Sequence, residues 1–85
     1  MENNVCVLGR LVGITNNIMN ICANNSQNEL GKEKIKVKLN DFMANNIKKA
    51  CGTGTLLGVK GRISDDNSVD IIAEKISFLS SRERD

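Results

Sequence analysis

At 85 residues and a formal net charge of +2, the chain is long enough for one small domain around one core, and its overall charge singles out no class of partner. No apolar run approaches the roughly 18 residues that span a bilayer, and the opening Met1-Glu2-Asn3-Asn4 lacks the regions of a secretory signal, so a cytoplasmic protein is expected. Three widely spaced cysteines and no histidine support neither a disulfide framework nor a zinc site, so Cys6, Cys22 and Cys51 are expected to be reduced, buried small hydrophobes.

Taken in chain order, Val5 to Ile14 is apolar at both parities, with Val5, Val7 and Leu11 on one side and Cys6, Leu8, Val12 and Ile14 on the other. A strand of that kind is covered on both faces or closes a subunit interface. Thr15-Asn16-Asn17 reads as a short turn, Ile18 to Ala23 as a second strand and Asn24 to Gly31 as a polar loop. The loop holds Asn24-Asn25-Ser26, a glycosylation pattern that carries no weight without a secretory signal.

Lys32 to Asn40 reads as the third strand, and within it Lys34-Ile35-Lys36-Val37-Lys38-Leu39 alternates cations with apolar residues. Successive strand side chains point to opposite faces, so Ile35, Val37 and Leu39 face a core while Lys34, Lys36 and Lys38 line up outside. Like charges in a row repel one another and contribute nothing to folding. Two readings stay open, an anionic partner running along the row and a solvated face that protects a strand. The charge distribution bears on the choice: residues 32–62 hold eight cations against two anions, a local +6, whereas residues 63–85 hold three against six, a local −3.

Asp41 sits where a helix N-cap belongs, and Phe42, Met43, Ile47, Ala50 and Cys51 follow at spacings that suit one short amphipathic helix, ended by Gly52-Thr53-Gly54. Thr55 to Ser64 reads as the fourth strand, Asp65-Asp66-Asn67-Ser68 as a tight turn, Val69 to Leu79 as the fifth strand and residues 81–85 as a charged end beyond a domain of residues 1–80. Three strands, a helix and two strands in so short a chain are the element order of an OB-fold, an all-β five-stranded barrel with one short helix between strands three and four. Gly9, Gly13, Gly58 and Gly61 would mark its bends. Gly52-Thr53-Gly54-Thr55 is no phosphate loop, because no Gly-Lys-Ser/Thr follows and it ends a helix rather than opening one. Without histidine or a metal cluster, and with Asp65-Asp66 in an exposed turn, no acid and base set is available, so neither an enzyme nor a cofactor or metal site is expected.

Asn4-Val5-Cys6-Val7-Leu8-Gly9-Arg10-Leu11 resembles the opening strand of bacterial single-stranded-DNA-binding proteins, typically Asn-x-Val-x-Leu-x-Gly-Arg-Leu. Ala44-Asn45-Asn46-Ile47-Lys48-Lys49 and Leu57-Gly58-Val59-Lys60-Gly61-Arg62-Ile63 are similar to that family's helix and fourth strand, and Ala73-Glu74-Lys75-Ile76-Ser77-Phe78-Leu79 to its closing strand. The resemblance spans nearly the whole chain. It implies a non-enzymatic single-stranded-DNA-binding barrel, nucleoid-associated, acting in replication, recombination or transfer of a bacterial chromosome or mobile element. Because the family pairs subunits through the first strand, it also implies a homo-oligomer, a dimer or tetramer, with Val5, Val7, Leu8 and Leu11 at the interface.

Family members stack bases on aromatic side chains across the barrel face. This chain has no Trp or Tyr, its Phe42 and Phe78 are expected in the core, and an ungapped comparison sets Lys34 and Asn40 where stacking aromatics stand. The loop between strands four and five is cut to Asp65-Asp66-Asn67-Ser68, and the acidic tail of the family is not matched. DNA contact is therefore expected to be mainly electrostatic, through Lys34, Lys36 and Lys38, with Lys60 and Arg62 if the two strands share a face, and with Asn40 hydrogen-bonding bases. Arg10 either serves the same surface or flanks the barrel mouth. Lys48 and Lys49 equally suit the end of a helix dipole. A second reading is an assembly module for replication or restart proteins, like the short primosomal accessory proteins, and a third is binding of RNA or polyanions in general.

Overall fold

A computed structural model describes residues 4–23 and 30–80, apart from the side chain of Ser80. The glycosylation pattern at Asn24-Asn25-Ser26, most of the polar loop and the charged end at 81–85 lie outside the described residues. The elements are β1 (Asn4–Thr15), β2 (Ile18–Cys22), β3 (Lys34–Lys38), α1 (Asp41–Ala50), β4 (Leu56–Ile63) and β5 (Ile71–Ser80), in the order read from the sequence.

All five strands belong to one sheet. β1 pairs antiparallel with β2 and β4, β2 with β3, and β4 with β5, while β3 and β5 meet in parallel through Val37 opposite Ile71 and Lys38 opposite Ile72. The pairings thus return on themselves in the order β1-β2-β3-β5-β4. Strand alternation supplies the interior: Val7, Met19, Ile21, Ile35, Val37, Leu57, Val59 and Ile71 are fully buried, and Ile47 of α1 joins them.

Local chemistry explains the connections. Asn16 and Asn17 both have positive φ, 52° and 64°, as a two-residue hairpin turn between Thr15 and Ile18 requires. The Asn17 amide nitrogen then donates to Asp41 Oδ1 at 2.6 Å, tying this hairpin to the start of α1. After the helix, the Gly54 N–H donates to Leu11 O at 2.8 Å and the Leu11 N–H to Thr55 O at 2.9 Å, so the connection crosses against β1 before β4 begins.

Gly61 marks a close approach of β4 to β5. It lies at an irregularity of the β4–β5 register, and a Cβ there would fall 2.1 Å from Ile72 O, so only glycine admits this crossing. At the seam between β3 and β5, the Asp70 N–H donates to Lys36 O at 2.8 Å while the Lys36 N–H donates to Asp70 Oδ2 at 2.9 Å. A side-chain carboxylate here takes the place of a backbone carbonyl and continues a parallel ladder that has only two register pairs.

Several expectations are corrected. The helix is capped by Asn40, whose Oδ1 accepts from the Met43 N–H at 2.7 Å, and Asp41 is the first helical residue. The buried helix face is Ala44 and Ile47 with Met43 and Cys51 packed beside them, which at roughly 100° per residue leaves Phe42 off that face. Phe42 is 73% exposed and Phe78 51%, so neither is a core residue. Cys6 and Cys22 are exposed because they occupy the outward parity of β1 and β2, and Cys51 is half-buried, where desolvation raises its thiol pKa.

Candidate nucleic-acid interface

Register decides which cations can act together. On the outer face, Arg10 of β1 pairs with Cys22 of β2, and Cys22 pairs with Lys34 of β3. The next rows set Asn20 opposite Lys36 and Ile18 opposite Lys38. Neighbouring strands lie about 4.8 Å apart, so Arg10 and Lys34 stand about 10 Å apart across β2, with lysines about 6.7 Å apart along β3. Arg10, Lys34, Lys36 and Lys38 therefore share one face of three adjacent strands, and all four are exposed. Cys22, Asn20 and Ile18 between them bring no opposing charge.

Arg10 is anchored there. Its Nη1 donates to Gly54 O at 2.9 Å, which binds the guanidinium to the loop before β4 and limits its rotamers. Lys34, Lys36 and Lys38 make no ion pair among the described residues.

Lys60 and Arg62 are also on an outer face, but elsewhere around the ring. Lys60 lies between Cys6 and Lys75, and Arg62 between Asn4 and Ile72. Because Ile72 also pairs with Lys38, the shortest way from the lysine row to Arg62 is across β5. Arg62 is already engaged, with its Nε 3.1 Å from Glu74 Oε2. Lys38, Ile72 and Arg62 thus make one row across β5, as Arg10, Cys22 and Lys34 do across β2, and Lys60 lies one row further along β4.

Carboxylates moderate the β3 group. Asp70 Oδ1 accepts from Lys32 Nζ at 2.6 Å, beside Lys36. Burial acts to raise the Asp70 pKa, but the Lys32 ammonium and the Lys36 N–H outweigh it and hold the carboxyl below its ordinary range. Asp66, in the β4–β5 turn, is lowered chiefly by hydrogen bonds from the Ser68 N–H and hydroxyl, with a smaller contribution from the Lys38 charge. Between β3 and this turn lies a recess of about 200 Å³ lined by Lys32, Lys34, Lys36, Asn67, Ser68 and Asp70.

Asn40 sits just past the lysine row, but its carbonyl oxygen is committed to capping α1. Lys48 and Lys49 fall in the last helical turn, away from β3, where they complement the helix dipole.

The expected interface residues divide by parity. Val5, Val7 and Leu11 point into the core and are unavailable to a second subunit, whereas Leu8 is 58% exposed on the outer face. Val12 and Leu79 are exposed with it, and Gly58, opposite Leu8, has room for both leucine side chains to approach. The sequence divides β1 by parity, but residues of both parities were expected at the interface, and the roles of Asp70 and the outward cysteines were not foreseen. Nothing local foretells a contact from Asp70 to Lys36.

No helix among the described residues is long and apolar enough to cross a membrane. No protein-family model matches this chain, and no curated protein matches it.

Proposed function

We propose that the protein binds single-stranded DNA, without catalysis or a cofactor, as a minimal OB-fold domain that grips phosphates rather than stacking bases. The closed ring of pairings and the helix between β3 and β4 support the OB-fold reading. The observation that carries the functional reading is the alignment of Arg10, Lys34, Lys36 and Lys38 on the outer face of three adjacent strands. Lys60 and Arg62 offer a second phosphate contact past Ile72, and Asn40 retains its amide N–H groups for a base. In this reading the protein is cytoplasmic and nucleoid-associated and serves replication, recombination or DNA transfer with their proteins. It acts as a homo-oligomer, dimer or tetramer, joined through the outer face of β1 around Leu8, which multiplies weak sites along one strand.

The test is fluorescence anisotropy of labelled oligo(dT) at about 50 and about 200 mM salt. Five neutralised phosphates, one of them at Lys60 and Arg62, at roughly −0.7 each give a log-log slope of about −3.5, or about a hundredfold weaker binding over that range. Changing Lys34, Lys36 and Lys38 together to Ala leaves Arg10 and the contact at Lys60 and Arg62, and a slope of about −1.4. Absence of binding at the lower salt refutes the reading, and wild-type affinity in the triple variant refutes the site.

A second reading has its own support. Asp66 and Asp70 lie beside the lysines, Arg62 is paired with Glu74, and both phenylalanines lie away from the lysine row beside α1. Those features suit an OB-fold assembly module of a replication-restart complex with weak or no DNA binding, and failure of the oligo(dT) titration would favour it.

A further inference from the structure

The groove between α1 and β5 is separate from the lysine row. It encloses about 500 Å³, within the roughly 300–1,000 Å³ typical of binding pockets. Its floor is aliphatic, with buried Ile47 and half-buried Met43 and Ile76. Phe42 and Phe78 line it while largely exposed, an arrangement that leaves two large aromatic surfaces wet.

The charged groups lining it are Lys49, Lys75 and Glu74. Glu74 is paired with Arg62, whereas Lys49 and Lys75 make no ion pair among the described residues. The groove therefore presents an apolar trough with two uncompensated cations.

We propose that this groove docks an extended peptide segment of a partner protein that alternates acidic residues with apolar anchors. Aliphatic and aromatic anchors would displace water from Ile47, Ile76, Phe42 and Phe78, and carboxylates would meet Lys49 and Lys75. Phe42 and Phe78 offer rings on which a base could stack, but Glu74 in the same lining would oppose phosphates, so a nucleic acid is an outcome of the test and not the proposed occupant. The proposal is independent of DNA contact at β3.

The probe is a fluorescein-labelled octapeptide in which Asp alternates with Leu and Phe, with a control in which every Asp is Lys. Binding is read by anisotropy and by backbone amide shifts of the ¹⁵N-labelled protein. The acidic peptide should bind and shift amides of residues 42–50 and 74–78, and the basic control should not bind. Lys49→Glu with Lys75→Glu should weaken binding about five- to thirty-fold, from roughly 0.5–1 kcal/mol per rim charge. Phe42→Ser with Phe78→Ser should weaken it about tenfold or more. Since all four side chains project from exposed positions, both double variants should melt near the wild type and remain informative. The proposal is overturned if acidic and basic peptides bind alike, or if the acidic peptide shifts β3 instead. It is equally overturned if oligo(dT) alone perturbs the groove, or if groove amides shift with protein concentration in the absence of peptide, which would make a second copy the occupant.

Discussion

Replacing Gly61 by Ala tests the geometry of the ring most directly. The added Cβ would stand 2.1 Å from Ile72 O and 3.0 Å from Ala73 Cα, both backbone atoms that no rotamer change can move. Ordinary contact begins at 3.4 Å, so β5 must retreat by about 1.3 Å at Ile72. Ile72 pairs with Arg62 on one side and Lys38 on the other, so the retreat disturbs β4–β5 and presses on the two-pair seam with β3. Overpacking at about 1–3 kcal/mol and one weakened ladder bond at about 0.5–1.5 kcal/mol give a loss of about 2–4 kcal/mol. For a domain of this size each kcal/mol is worth about 4–8 °C, so Tm should fall by about 10 °C or more. Circular dichroism melts read the change, and urea unfolding measures the free energy independently. Gly13→Ala is the control, because a Cβ there meets nothing within 4 Å, and its Tm should stay within a few degrees. A Gly61→Ala protein melting within about 3 °C of the wild type would refute the close approach. Equal losses at both glycines would instead implicate strand propensity.

Asp70→Ala removes the acceptor of the Lys36 N–H and the partner of Lys32, and should destabilise by about 1–2 kcal/mol in urea unfolding, since water reaches the exposed Lys36 N–H. The pH dependence has a definite sign. The Asp70 pKa is depressed in the fold, so its stabilising contribution is present above the ordinary carboxylate value of about 3.9 and is lost as pH falls through the lower folded value. Urea midpoints of wild type and Asp70→Asn should therefore converge on acidification, and a gap that widens below that pH would contradict the assignment. Asn40→Ala should cost about 1 kcal/mol through the lost cap, and should weaken oligo(dT) binding about two- to tenfold with an unchanged salt slope, because the amide would meet a base and neutralises no phosphate. Phe42→Ser should change stability by less than about 0.5 kcal/mol, whereas a buried phenylalanine would cost about 3–5 kcal/mol.

Element order and strand parity were legible because both are written in short-range patterns. The alternation in β3 and the turn residues Asn16-Asn17 and Asp65-Asp66 each constrain a few neighbouring φ and ψ angles. What failed were features set by three-dimensional choices among locally equivalent options. Asn40 and Asp41 are both good caps, and the choice of Asn40 goes with an Asp41 carboxylate held by Asn17 from the β1–β2 turn. Phe42 looked like core because it is the largest apolar residue of α1, yet the small Ala44 is what fits against the sheet. Asp70 looked like part of an acidic end, and its pairing with Lys36 is a contact 34 residues apart.

That last contact bears on how a polyanion would cross the surface if the DNA-binding reading holds. A strand running along β3 would pass Lys34, Lys36 and Lys38 in turn, but its phosphates would approach the carboxylate of Asp70 beside Lys36 and that of Asp66 near Lys38. A strand running across β1, β2 and β3 would meet Arg10 and Lys34 in one row, with Cys22 between them and Arg10 already fixed by Gly54. Coulomb energy falls as the inverse of distance and is screened within about 10 Å at moderate salt, so a carboxylate adjoining a lysine weighs more than distant cations do. The crosswise path passes the recess that Glu33 shares with Arg10 and Cys22, so it meets that one carboxylate where the lengthwise path meets Asp70 and Asp66. It predicts that Arg10→Ala with Lys34→Ala weakens oligo(dT) binding more than Lys36→Ala with Lys38→Ala at equal salt. If the second pair matters more, the strand runs along β3, and the carboxylates beside it are structural groups that bound DNA outcompetes.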